Sequence, residues 1–121
     1  LYYTQYTFKN PRIAFLYEAS FQYRNKIIRL QDLFDRHSKE GALSYGKHTA
    51  ILWDIRDLFE PIFGLLLSYV KQENQPLRLS DDLRLALDDI LVTHCVQLGF
   101  SRKDVQNIVD EEYRNPGMPQ P

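Results

Sequence analysis

The sequence predicts an all-α fold: a helical bundle of three to four main helices and a short C-terminal helix. Apolar residues recur at alternating intervals of three and four over three long segments, and stretches containing glycine or proline separate these segments. No segment has a convincing sheet pattern. The 121 residues suit one domain. We expect a single helical domain at 10–114, between an extended aromatic arm at 1–9 and a flexible tail at 115–121.

The first helix is expected to follow Asn10, because asparagine caps helices and Pro11 suits the first helical position. It should run for about 27 residues, or roughly 40 Å, which is longer than most domains need. We therefore expect it to form the spine of the bundle or to pair with another chain. Its predicted core stripe is Ile13, Leu16, Ser20, Tyr23, Ile27, Leu30, Phe34 and His37, widened by Tyr17, Phe21 and Ile28.

The second long segment is expected to be one helix kinked at Pro61, or two helices that share an axis. Proline removes a backbone donor and crowds the carbonyl four residues earlier, yet the apolar pattern keeps its phase on both sides. A loop from Gly41 to Gly46 precedes this helix, and a connector containing Pro76 follows it. The predicted core stripe is Ile51, Ile55, Leu58, Ile62, Leu65 and Tyr69.

The third helix is expected to begin after Ser80, whose hydroxyl can cap it, and to end at Gly99. Ser101 and Asp104 then form a second capping pair that starts the short last helix. The predicted stripe of the third helix is Leu83, Leu87, Ile90, His94 and Leu98. The last two helices should therefore meet at a tight corner.

Residues 91–110 resemble a helix-turn-helix motif in their small, glycine and apolar positions, from Cys95 through Gly99 to Ile108. This resemblance implies DNA contacts from the short helix, because amide and basic side chains suit base edges and phosphates. The acidic residues of the same helix oppose such contacts, and a purely structural corner is the alternative. The DNA-binding candidates are Arg102, Lys103, Gln106 and Asn107, and the acidic residues are Asp104, Asp110, Glu111 and Glu112.

The charge balance gives no basic domain: net charge is −1, and the acidic excess lies in the second half. Phosphate neutralisation supplies most non-specific nucleic-acid affinity, so this balance disfavours DNA binding through the whole surface. The adjacent aspartates at 81–82 and 88–89 are interpreted as solvated charges, since neighbouring helical residues point in different directions.

The sequence contains no motif typical of catalysis, so we expect no catalytic residues, no metal site and no cofactor. The three histidines, His37, His48 and His94, lack the spacing that places two ligands on one helical face. We interpret His37 and His94 as hydrogen-bonded core residues. The protein is therefore expected not to be an enzyme.

The single cysteine and the absence of a signal-like segment favour an intracellular, cytoplasmic protein. The longest uncharged apolar run, "PIFGLLLSYV", is shorter than the roughly 20 residues that span a bilayer. We therefore expect no membrane insertion.

Eight tyrosines and seven phenylalanines make the chain rich in aromatic residues, several of them in the arm. Tyrosine combines an apolar face with a polar tip and is enriched at interfaces. The arm either binds a protein or folds back over its own bundle. The protein-interface candidates are Tyr2, Tyr3, Tyr6 and Phe8.

Together these features favour a non-enzymatic protein-interaction or regulatory adaptor module that forms a homodimer, its expected protein partner being a second copy. The alternative is a DNA-binding transcriptional regulator that uses the helix-turn-helix at 91–110.

Overall fold

The computed structural model describes residues 9–40, 44–72, 74 and 80–114. No strand occurs in these ranges, which confirms the predicted all-α bundle. A single residue, Leu58, separates the second and third helical segments, so they form one long interrupted helix. The helices are α1 (Pro11–Glu40), α2 (Tyr45–Asp57), α3 (Phe59–Lys71), α4 (Asp81–Gln97) and α5 (Arg102–Arg114).

Short polar side chains cap four of these helices. Each accepts a hydrogen bond from a backbone N–H of the first turn, which would otherwise lack a partner within the helix. The predicted caps at residues 10, 80 and 101 are confirmed. The bonds are Arg12 N to Asn10 Oδ1 (2.9 Å), Lys47 N to Ser44 Oγ (3.3 Å), Leu83 N to Ser80 Oγ (3.2 Å) and Asp104 N to Ser101 Oγ (3.4 Å).

The predicted interruption of the second long helix lies at Leu58, three residues before Pro61. The proline ring crowds the carbonyl of Asp57, four residues earlier, and leaves it without the usual amide donor. The Leu58 N–H bonds instead to the Ile55 carbonyl at 3.2 Å, a tightened turn. The interruption therefore lies before the proline to which we attribute it.

α1 is the spine of the bundle, and the α2–α3 unit runs antiparallel to it. Arg12, at the start of α1, donates to the carbonyls of Val70 and Gln72 at the end of α3, at 3.1 and 3.0 Å. Near the other end of α1, the Gln31 amide donates to the Leu52 carbonyl in α2 at 3.1 Å. α5 also packs against both α1 and α4.

The structure confirms the centre of the core stripe predicted for the first helix and corrects its margins. Residues 16, 20, 23, 27, 30 and 34 are buried, whereas Ile13 and His37 are exposed. The residues expected to widen the stripe, Tyr17, Phe21 and Ile28, are also exposed. The buried residues of the other helices include Ile55, Leu58, Ile62, Leu66, Tyr69, Val70, Leu87, Leu91, Val92, Cys95, Val105, Ile108 and Val109.

The corner between α4 and α5 is closed by a glycine-centred helix ending. Gly99 has φ +106°, in the region that favours glycine. The Phe100 N–H donates to the Cys95 carbonyl at 3.1 Å, and the Gly99 N–H donates to the Val96 carbonyl at 3.0 Å. This pair of bonds is a Schellman motif, which satisfies the last carbonyls of α4.

Phe100 anchors this corner to α1. Its ring lies 5.4 Å from that of Phe34 in an edge-to-face arrangement and 6.1 Å from the imidazole of His37. Edge-to-face aromatic pairs add roughly 0.5–1.5 kcal/mol beyond their buried area. The corner is thus held by its own hydrogen bonds and by packing against the C-terminal half of α1.

Replacing Gly99 with valine should lower the free energy of unfolding by at least about 1–2 kcal/mol, because a residue with a Cβ is strained at positive φ. Gly64→Ala is the control: Gly64 is helical, and an added Cβ there contacts none of the described residues within 4 Å beyond the backbone of its own helix. That change should instead raise the free energy of unfolding by as much as about 1 kcal/mol. Urea denaturation of both variants measures the difference, and equal stability would contradict this account of the corner.

Candidate functional site

The predicted DNA-binding residues on α5 differ in their surroundings. Arg102, Lys103 and Asn107 are exposed to solvent. Gln106 is half-buried, and its amide donates to Asp110 Oδ1 at 2.9 Å. Three of the four side chains therefore project from α5, while the fourth is held by an acidic neighbour.

A groove of about 480 Å³ separates this part of α5 from α1. Arg29 and Arg36 of α1 line it together with Asp104 and Asn107 of α5. A second groove beside it also holds Asp32 and Asp35. The alternating signs of charge disfavour a polyanion on this surface.

The interface candidates predicted in the arm, Tyr2, Tyr3, Tyr6 and Phe8, lie outside the described residues. Exposed aromatic and aliphatic side chains do, however, occur on the helix that follows the arm. Ile13, Tyr17, Phe21 and Ile28 retain 37%, 48%, 41% and 42% of their surface in solvent. We call these four residues the α1 stripe.

The α1 stripe follows one face of the helix. Its members are spaced by four, four and seven residues, and exposed Arg24 divides the last interval into three and four. Residues three and four apart are neighbours on a helix surface. Five consecutive positions therefore form one band about 22 Å long on the side of α1 that faces solvent.

A groove of about 490 Å³ adjoins the C-terminal end of the α1 stripe. Ile28 and Arg24 line it from α1, and Phe59 and Glu60 line it from α3. Nearby, the Arg56 guanidinium stacks on the exposed Trp53 ring at 4.6 Å from its centroid. Apolar surface and charges of both signs thus adjoin the stripe, a composition that suits contact with another protein.

A buried polar network joins α1 to α4 on the opposite, inner side of α1. Lys26 is 1% exposed and Asp88 5% exposed. The Lys26 ammonium lies 3.5 Å from Asp88 Oδ1, and the Tyr23 hydroxyl donates to the same oxygen at 2.8 Å. Arg84 approaches Asp88 Oδ2 at 3.7 Å. The carboxylate is therefore shared between two cations and a phenol.

This network corrects the interpretation of both residues at 88–89 as solvated charges. Asp89 is exposed, as predicted, but Asp88 is buried because its partners lie on α1, more than 60 residues away in sequence. Lys26 also stands over the Tyr23 ring at 4.4 Å, a cation–π contact. Lys26 lies three residues after Tyr23 and four before Leu30, both in the predicted core stripe, and a lysine in such a position was the sequence signal for a buried partner.

The histidines also differ from the predicted hydrogen-bonded core pair. His37 is exposed, while His94 is half-buried, and its buried Nε2 has no hydrogen-bond partner among the described residues. His48 lies 3.3 Å from Asp35 Oδ1 and beside the Phe34 ring. In the described ranges, no three His, Cys, Asp or Glu side chains are grouped so that they could hold a metal ion.

Cys95 is buried at the base of the corner. Burial raises the pKa of its thiol to about 11, because desolvation disfavours the thiolate. Since the thiolate is the reactive form, the Cys95 side chain is a poor nucleophile near neutral pH.

Comparison with protein-family models, with curated proteins and with solved structures finds no match for this chain. Among the described helices, none is both long and apolar enough to cross a lipid bilayer. The fold and surface define an all-α bundle with an exposed apolar band on its longest helix.

Replacing Asp88 with asparagine should lower the free energy of unfolding by about 3–5 kcal/mol, because it removes the negative charge from the buried ion pair with Lys26. Asp89→Asn is the matched control, since the neighbouring carboxylate is exposed. It should change stability by less than about 0.5 kcal/mol. Chemical denaturation compares the two variants, and similar losses would show that the buried charge pair is not the cause.

Proposed function

We propose that this protein is a non-enzymatic protein-interaction module, a regulatory adaptor that forms a homodimer and contacts its partner through α1. The observation that carries the proposal is the α1 stripe, a continuous band of partly exposed aromatic and branched aliphatic side chains. Large exposed apolar patches on globular proteins mark sites of interaction with other molecules. The proposed setting is the cytoplasm, where a free thiol such as that of Cys95 persists.

Burial of the stripe supplies a modest driving force. Fully burying such a side chain contributes roughly 1.5–3 kcal/mol, so covering the exposed part of each stripe residue contributes about 1 kcal/mol. Association also costs at least about 4 kcal/mol in lost translational and rotational freedom. Further contacts are therefore required. We propose that the arm residues Tyr2, Tyr3, Tyr6 and Phe8, which directly precede α1 in sequence, contribute to the same interface.

Light scattering at tens of micromolar should report twice the 14.4 kDa chain mass for the wild-type protein. Phe21→Glu should shift the protein to the monomer, because a carboxylate at the centre of the stripe would have to be desolvated on association. Gln22→Glu is the control, with the same charge change at an exposed neighbouring position outside the stripe. Equal behaviour of the two variants would show that the stripe takes no part in association.

DNA binding is the second candidate function, and one observation favours it. The helix-turn-helix-like corner leads into α5, on which Arg102, Lys103 and Asn107 are exposed together. The same helix carries three basic and four acidic residues, so its charge opposes the approach of phosphates. Protein binding is therefore the leading proposal.

If α5 reads DNA, Arg102→Ala/Lys103→Ala should weaken binding to a short duplex and lower the salt slope by about one unit per lost contact. Asn107→Ala should instead relax base preference, because amides read base edges. Lys71→Ala is the control, an exposed lysine on α3. Fluorescence anisotropy over a salt series measures both effects. Absent binding, or binding that the double substitution leaves unchanged, would contradict this alternative.

A further inference from the structure

We infer that the partner on the α1 stripe is a second copy of this chain, with its α1 antiparallel to the first and a two-fold axis beside Phe21. The inference rests on the proposed function, because it specifies the occupant of the surface proposed there. Most homodimers have two-fold symmetry, which requires that the same patch be complementary to itself. The sequence of exposed residues along α1 meets this requirement.

The five positions of the band, 13, 17, 21, 24 and 28, are arranged almost symmetrically about the midpoint between residues 20 and 21. In an antiparallel pair of helices, positions symmetrical about the midpoint lie at the same height along the axis. Ile13 and Ile28 are symmetrical in this sense, and so are Tyr17 and Arg24. Phe21 lies beside the axis and so meets Phe21 of the second copy.

Each of these pairs is chemically complementary. Ile13 packs on Ile28 of the second copy, and the two Phe21 rings meet at the centre. Arg24 of the second copy comes level with the Tyr17 ring, where a guanidinium and an aromatic face attract each other. One contact of this kind already occurs within the chain, at Trp53 with Arg56, and the Lys26 ammonium makes a cation–π contact with Tyr23.

Charge selects the antiparallel orientation over the parallel one. A parallel two-fold pair would place each residue beside its own copy, so Arg24 would face Arg24 and Glu18 would face Glu18. In the antiparallel pair, Glu18 lies within one residue of the level of Arg24 from the second copy, and both side chains are exposed. Opposite charges thus meet, and like charges are kept apart.

Cysteine crosslinking of the full chain tests the orientation. Ile13→Cys and Ile28→Cys are made as separate proteins with tags of different mass, then mixed and oxidised by dissolved oxygen with copper phenanthroline as catalyst. The antiparallel pair predicts a disulfide between the two variants in the mixture and little product from either alone. Phe21→Cys should crosslink to itself, while Gln22→Cys, outside the stripe, should not. Native Cys95 is buried, and its raised pKa keeps it from reacting.

A charge exchange gives an independent readout by sedimentation. Arg24→Glu should raise the dimer dissociation constant at least roughly tenfold, because it places two carboxylates at the same level. The double variant Glu18→Arg/Arg24→Glu should partly restore association, since the ion pair is rebuilt with its signs exchanged. An unchanged dissociation constant in both variants would overturn the inference.

The remaining outcomes separate this inference from the proposed function. Self-crosslinking of Ile13→Cys alone indicates a parallel pair and overturns the inference, as does a dimer that crosslinks at none of these positions. A monomer whose stripe binds a different protein also overturns it, and leaves of the proposed function only the binding of a protein through α1. A monomer whose stripe binds no protein removes both. A mixed disulfide with charge-exchange rescue supports both.

Discussion

The length of α1 is the constraint on which the rest of the structure depends. Thirty residues form a rod of about 45 Å, and no other single helix of the described bundle is long enough to cover it. The α2–α3 unit therefore packs along it in antiparallel fashion, while α4 and α5 cover its inner side. A helix of this length is stable only when most of its apolar surface is covered. Its outer band is covered least.

The inner side of α1 is held by polar as well as apolar contacts. Asp88 reaches α1 through Tyr23 and Lys26, a buried arrangement that requires all partners to be present together. Removing one member disrupts a buried ion pair, which is costly, whereas an apolar contact at the same place would tolerate a slip in register. The network thus ties α4 to one position along α1. The position of α5 is then set by the closed corner at Gly99 and by the packing of Phe100 on Phe34.

The outer band of α1 has a different balance of energies. Tyr17, Phe21 and Ile28 keep close to half of their surface in solvent, although water is a poor solvent for such groups. The exposed part of these side chains makes no contribution to the stability of the single chain. Covering that part in a complex would lower the free energy of the complex. The same helix therefore supports folding through its inner side and, as proposed, recognition through its outer side.

The sequence by itself determined the features that depend on local interactions. The caps at Asn10, Ser80 and Ser101 and the glycine corner follow from bonds within a few residues. The centres of the first two core stripes follow from helical periodicity, whereas in the third stripe only Leu87 is buried. The sequence also predicted that Pro61 interrupts the second long helix, although the tightened turn places the interruption at Leu58. Only the tertiary structure decided which residues at the margins of the stripes are covered. Helical periodicity identifies a face of α1, but the number and position of neighbouring helices set how wide a face is buried, and this left Ile13, Tyr17, Phe21 and Ile28 exposed. The burial of Asp88 was likewise decided by distant partners, because a carboxylate is stable inside a protein only where a cation is brought to it.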